Sequence, residues 1–143
     1  MVNGGWTRVM FVIGVVLDGA MAVVMLTPSL EALVWGFEQP VVDPGFRFAM
    51  TLGAALMIGW TALLAWAAAR PVERRGVAAL TILVVVGLML AEILGMTSGF
   101  LPARRVWLMV AFQAVLIVGL AVAFHTARAP ADLTPLKRDR LQS

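Results

Sequence analysis

The chain contains no cysteine. That absence excludes disulfides, thiol catalysis, iron–sulfur clusters and cysteine-ligated zinc, and it leaves no mark of the redox compartment. A single histidine, His125, excludes a multi-histidine metal centre or a bis-histidine haem within one chain. Its position beside the end of the last apolar run reads as an interfacial side chain rather than a pigment or metal ligand. Charge is scarce as well. Only 13% of the 143 residues are charged and 62% are hydrophobic, against about 25% and about 45–50% in soluble domains. A soluble core of this size cannot hide that excess, so the solvent implied is lipid. No Gly-rich phosphate loop, HExxH or GxSxG motif is present. No folded basic domain suggests nucleic-acid recognition. An enzyme therefore has little support in the sequence, and no cofactor is implied.

What the chain does contain is four apolar runs, each near the roughly 20 residues that a bilayer crossing takes. They run from about Thr7 to Leu26, Phe46 to Ala69, Val77 to Ser98 and Ala103 to Thr126. The expected fold is an all-α integral membrane protein, a four-transmembrane-helix bundle over residues 1–127. Helix punctuation agrees with these limits. Asp43 and Pro44 supply an N-cap and a first helical residue, RPVERRG breaks the chain between spans two and three, and Gly99 and Pro102 supply a stop and a restart. The first run has Arg8 ahead of it and an AMA at residues 20–22, as a signal peptide would. Its length and Asp18 favour an uncleaved span instead.

Charge placement orients the bundle. Arg8, Arg70, Arg74, Arg75, Arg128, Lys137, Arg138 and Arg140 fall on one side, whereas the first connecting loop carries Glu31, Glu38 and Asp43. The positive-inside rule places both termini and the middle loop in the cytoplasm of a bacterial cell, with the first loop outside the inner membrane. Arg47, Arg104 and Arg105 are exceptions on the outer side. Within the outer loop, Thr27 and Pro28 can start a helix, and Leu30, Leu33, Val34 and Phe37 recur at i, i+3, i+4 and i+7. This spacing suggests a short amphipathic helix lying on the outer interface or folded over the bundle mouth, although a plain loop anchored by Trp35 accounts for the same residues. Residues 128–143 form a basic, proline-containing cytoplasmic tail that lies near anionic headgroups or is simply solvated. Small residues at four-residue steps (Gly14–Asp18–Ala22, Ala55–Gly59, Gly87–Ala91–Gly95 and Gly119–Ala123) offer each span a face for close helix packing. The four spans can pair as two antiparallel hairpins.

Polar residues at membrane depth are costly, at least ~2.5–3.5 kcal/mol for a carboxylate on insertion scales, and usually face a bundle interior. Counted from the outer ends at ~1.5 Å per residue, Asp18 lies about 12 Å deep, Glu92 about 9 Å, Gln113 about 14 Å and Thr51 about 8 Å. All four spans thus place a polar residue in one layer. Arg47 shares a helical stripe with Thr51, and Arg105 lies nearer the Gln113 face than Arg104 does. Asp18, Arg47, Thr51, Glu92, Arg105 and Gln113 are therefore candidates for a polar pocket open to the outside. The same residues also admit a structural reading, in which Asp18–Arg47 or Glu92–Arg105 ion pairs fix helix register, or in which either acid is protonated in apolar surroundings and donates a hydrogen bond.

The segment RFAMTLGAALMIGWTALLAWAAARPVERRGVAALT, with the earlier aspartate of the first span, resembles a group of small bacterial four-span proteins and is broadly similar to DoxX-like four-helix membrane proteins. The likeness covers mainly spans two and three. It implies the four-span fold and carries no activity, cofactor or site residue.

Two functions are expected from these residues. One is a non-enzymatic protein that binds a small molecule, a lipid headgroup or a partner helix through the polar pocket, or that serves as an accessory subunit of a membrane complex. The other is a proton-coupled small-solute transporter or channel acting as an oligomer, with the two carboxylates relaying protons. Membrane lipids, further copies of the chain or a larger membrane complex are the expected partners.

Overall fold

The computed structural model describes residues 4–127. The basic tail expected over residues 128–143 lies outside them. Five helices follow one another: α1 (Gly4–Leu26), α2 (Pro28–Trp35), α3 (Pro44–Ala69), α4 (Gly76–Thr97) and α5 (Ala103–Thr126). All but α2 are long and apolar enough to cross a bilayer. Their limits fall within three residues of those read from hydropathy, because the same punctuation sets them. Asp43 Oδ1 accepts from the Phe46 N–H at 2.9 Å and Pro44 opens α3. Gly99 takes a left-handed φ of 77° just beyond α4, and the N–H groups of Phe100 and Leu101 return to the Gly95 carbonyl. Thr27 differs from expectation. Its backbone carbonyl accepts from the Glu31 N–H, but its hydroxyl makes no capping bond.

The helices pair as two antiparallel hairpins, α1 with α3 and α4 with α5. The hairpins meet mainly along α1 and α5, whereas α3 and α4 barely touch. The end of the bundle where α1 begins and α5 ends is densely packed. Phe11, Leu64, Ala67, Ala78, Leu120 and Ala123 are buried there as one cluster. Two side chains of α1 tie it to carbonyls of α5. The buried Thr7 hydroxyl donates to Ala123 O at 3.1 Å, and Trp6 Nε1 donates to Gly119 O at 3.2 Å. At the same end Arg75 donates to Ala127 O at 3.1 Å, and the Arg74 guanidinium lies 3.6 Å above the Trp66 ring while also donating to the Trp66 carbonyl.

The outward faces are apolar. Val16, Leu56, Leu83 and Val115 are each 63–70% exposed, one on each long helix. Water would not tolerate four such stripes, and hydrocarbon does. In lipid, close packing rather than hydrophobicity holds helices together, which is why the small residues matter. Gly14 and Gly119 do meet a neighbouring helix. A Cβ on Gly14 would lie 2.8 Å from Leu64 Cδ1, and one on Gly119 would lie 2.7 Å from Met10 Cε. The α4 stripe behaves differently: Gly87 has open space around it and Gly95 faces Leu101 of the following loop. Gly59 is open too. Spacing marks a small-residue face but does not say which helix, if any, comes to it. Leu64 is fully buried, and its branched end is less free to move than the flexible thioether end of Met10. Gly14→Ala is therefore expected to cost about 1 kcal/mol, the low end of the overpacking range, with Gly59→Ala neutral or slightly stabilising. Reversible unfolding in mixed micelles, followed by tryptophan fluorescence, measures both.

Candidate functional site: a polar cavity between two helical hairpins

Because the hairpins diverge where α3 faces α4, space remains between them. A cavity of about 170 Å³ lies there. All four long helices line it: Asp18 from α1, Met57 from α3, Glu92 from α4 and Gln113 from α5. Most of its wall is apolar, with Met10, Met21 and Met109 among leucines and Phe112. The central carboxylate is well shielded. Glu92 is 7% exposed, and its Oε1 accepts from Gln113 Nε2 at 2.8 Å. Its Oε2 and the Gln113 Oε1 are both buried without a hydrogen-bond partner. Thr81 also lines the cavity, but its hydroxyl is committed to the Val77 carbonyl at 2.8 Å. Neither ion pair among the described residues includes Asp18.

Toward the end that carries α2, a second cavity of about 180 Å³ adjoins the first, and Leu88 and Glu92 line both. Its wall is aromatic. Phe100 lies 5.3 Å from Phe37 and 6.0 Å from Phe46 between ring centroids, and Trp35 completes the wall from α2. This vestibule occupies the groove between α3 and α4, where Met50 and Ala91 face each other across the gap left by their weak contact.

The six residues singled out in the sequence divide evenly. Asp18, Glu92 and Gln113 come together in the central cavity. Arg47, Thr51 and Arg105 do not line it. The Asp18–Arg47 and Glu92–Arg105 ion pairs are not formed: Arg47 is paired with Glu31, and it also donates to Met25 O at 3.2 Å. Thr51 is exposed and its hydroxyl bonds to the Arg47 carbonyl of its own helix at 2.9 Å, a back-bond that satisfies it without any neighbour. Arg105 is exposed and runs alongside Gly36, where a Cβ would meet its Cγ at 3.2 Å. Gly36 itself has φ 79° as the C-cap of α2, so both conformation and clearance select glycine there. His125 is exposed beside Phe124 at the other end of the bundle and lines neither cavity.

Sequence reasoning missed Glu31. The expected short helix exists, but it turns a different face to the bundle. Glu31 and Ala32 are buried, whereas Leu30 and Leu33 are exposed. The reason is the guanidinium at the start of α3, which draws the carboxylate inward and leaves the leucines to face outward. The signal was available as an arginine near an apolar helix start with an acid in the preceding loop. Comparison with family models, with curated proteins and with solved structures finds no match to this chain, so the cavity is interpreted on its own chemistry.

Proposed function

We propose that this is a non-enzymatic binding protein of a bacterial cytoplasmic membrane, which takes up a small molecule in the cavity between its hairpins. The observation that carries this reading is Glu92, a buried carboxylate in the wall of a cavity of about 170 Å³ whose Oε2 has no hydrogen-bond partner. An unmade hydrogen bond on a buried group costs ~1–3 kcal/mol, and a ligand that supplies the partner recovers it. Size supports the reading, since an apolar cavity of about 150 Å³ suffices to hold benzene. Orientation follows from charge. Among the described residues Arg8, Arg70, Arg74 and Arg75 lie at the end where α1 begins and α5 ends, against Arg47, Arg104 and Arg105 at the end with α2. The positive-inside rule then puts the termini in the cytoplasm and opens the aromatic vestibule outward.

Leu88, shared by both cavities, gives the test. Leu88→Trp fills the junction, and Leu83→Trp places the same bulk on the 69% exposed outer face of α4 as a control. With the protein in nanodiscs, ¹⁹F NMR of 4-fluorobenzyl alcohol is expected to show saturable binding to the natural protein and to the control. Binding is expected to fall at least about tenfold in Leu88→Trp. Equal signals from both variants would mean that the probe sits in lipid, and the reading would fail.

A second reading is proton-coupled transport. It draws on Glu92 standing between vestibule and cavity, where a carboxylate could pass a proton inward. The packed cluster of Phe11, Leu64 and Leu120 beyond the cavity favours binding over conduction by a single copy. Proteoliposomes carrying a pH gradient, with and without the chain, separate the two: faster dissipation with the chain supports transport.

A further inference from the structure

We infer that the ligand of this cavity is a protonated amine with a compact apolar body of about one ring; this rests on the binding reading above. Hydrogen-bonding groups around the cavity are out of balance. Acceptors lack partners: Glu92 Oε2 and Gln113 Oε1 are buried without a hydrogen bond, and the Asp18 carboxylate has no ion pair among the described residues. In this cavity donors are few; the unpartnered Trp35 Nε1 lines the vestibule instead. The Thr81 hydroxyl is given to Val77 O, and one N–H of Gln113 is given to Glu92. A ligand that fits must therefore bring several donors and accept little. An ammonium brings three N–H donors and no acceptor.

Charge points the same way. Two carboxylates line the cavity and no lysine, arginine or histidine does. The arginines closest to this end of the bundle are occupied or outside it, Arg47 with Glu31 and Arg105 along Gly36. Carboxylates without a protein counter-charge favour a cation from elsewhere. Among the described residues no group of three His, Cys, Asp or Glu side chains forms a metal cluster. The wall decides the rest of the ligand. Met10, Met21, Met57, Met109 and Phe112 are soft and apolar, and methionine adapts to irregular apolar shapes. The route in suits the same class, because Phe37, Phe46 and Phe100 present aromatic faces and edges along the vestibule, and aromatic faces attract cations.

The experiment compares 4-fluorobenzylammonium, 4-fluorobenzyl alcohol and 4-fluorobenzoate by ¹⁹F NMR. The full chain is held in nanodiscs of zwitterionic phosphatidylcholine, so that anionic lipid does not gather the amine. The ammonium is expected to bind at least about tenfold more tightly than the alcohol, with the benzoate weakest. In Asp18→Asn and Glu92→Gln, each of nearly native shape, the ammonium-to-alcohol ratio is expected to fall toward one, and alcohol binding reports whether the cavity remains formed. If the alcohol binds saturably and the ammonium no better, the amine is overturned while the binding reading stands. If the ammonium binds tightly but both variants keep the ratio, the amine is also overturned, because its attraction comes from elsewhere. If neither probe saturates, the binding reading falls and takes the amine with it.

Discussion

Replacing Glu31 with alanine is expected to destabilise the protein by about 3 kcal/mol, the lower end of what breaking a buried ion pair costs. Glu31 is 1% exposed and Arg47 23% exposed, so the bond between them is shielded from water. Glu31→Ala leaves the guanidinium with only the Met25 carbonyl, at 3.2 Å. The cost is mainly that of an abandoned charge, which sets the form of the double mutant. Arg47→Met alone strands Glu31 in turn, and Glu31→Ala with Arg47→Met together should cost markedly less than the two single changes summed. Unfolding by SDS titration, read through the tryptophans, gives the three values. A single-mutant cost below about 1 kcal/mol would place the pair among solvated surface pairs, and the inward pull of Arg47 would no longer account for the orientation of α2. The effect should reach the site as well. Trp35 lies one helical turn beyond Glu31 and lines the vestibule, so loosening α2 is expected to shift tryptophan emission before global unfolding begins.

The pair also shows where the sequence was silent. The four long helices were legible because lipid demands long apolar runs and nothing else in the chain imitates them. The layer of Asp18, Glu92 and Gln113 was legible because depth follows from counting along a helix, and depth largely decided which residues share the cavity. Partner choice was not legible. Arg47 shares its half of the bundle with Asp18, Glu31, Glu38, Asp43 and Glu92, and only the path of residues 27–43 settles that Glu31 takes it. Thr51 lies in the same layer by depth, yet a hydroxyl can satisfy itself on its own helix, so polarity at that level did not imply membership. Gly87 and Gly95 carry the small-residue spacing of a packing face, but α4 meets α5 through other positions. The failure at the glycines has a plain origin. Period and spacing fix which residues share a face, while the rotation of that face toward a neighbour is set by the whole bundle.

Asp18 separates a functional carboxylate from a structural one most sharply. It lines the cavity on α1, and no ion pair among the described residues holds it. An intramembrane carboxylate costs ~2.5–3.5 kcal/mol on insertion scales, and an acid that fixed the bundle would return that cost through a partner. Asp18→Leu is therefore expected to raise stability by about 1 kcal/mol, in the range of single stabilising substitutions, while ammonium binding falls at least about tenfold. Leucine suits the site, which is already bordered by Leu17 and Met21 of the same helix. The two readouts move in opposite directions only if the carboxylate is kept for a ligand. Loss of both stability and binding would assign Asp18 to the architecture of the bundle, and unchanged binding would remove it from the site. Glu92→Leu serves as the contrast. Its Oε1 holds the Gln113 amide, so substitution strands that amide in an apolar wall, and the same relief of charge should be offset by an unmade hydrogen bond worth ~1–3 kcal/mol. A stability gain at Asp18 together with little or none at Glu92 is the pattern expected of one carboxylate held only for the ligand and a second shared between ligand and fold.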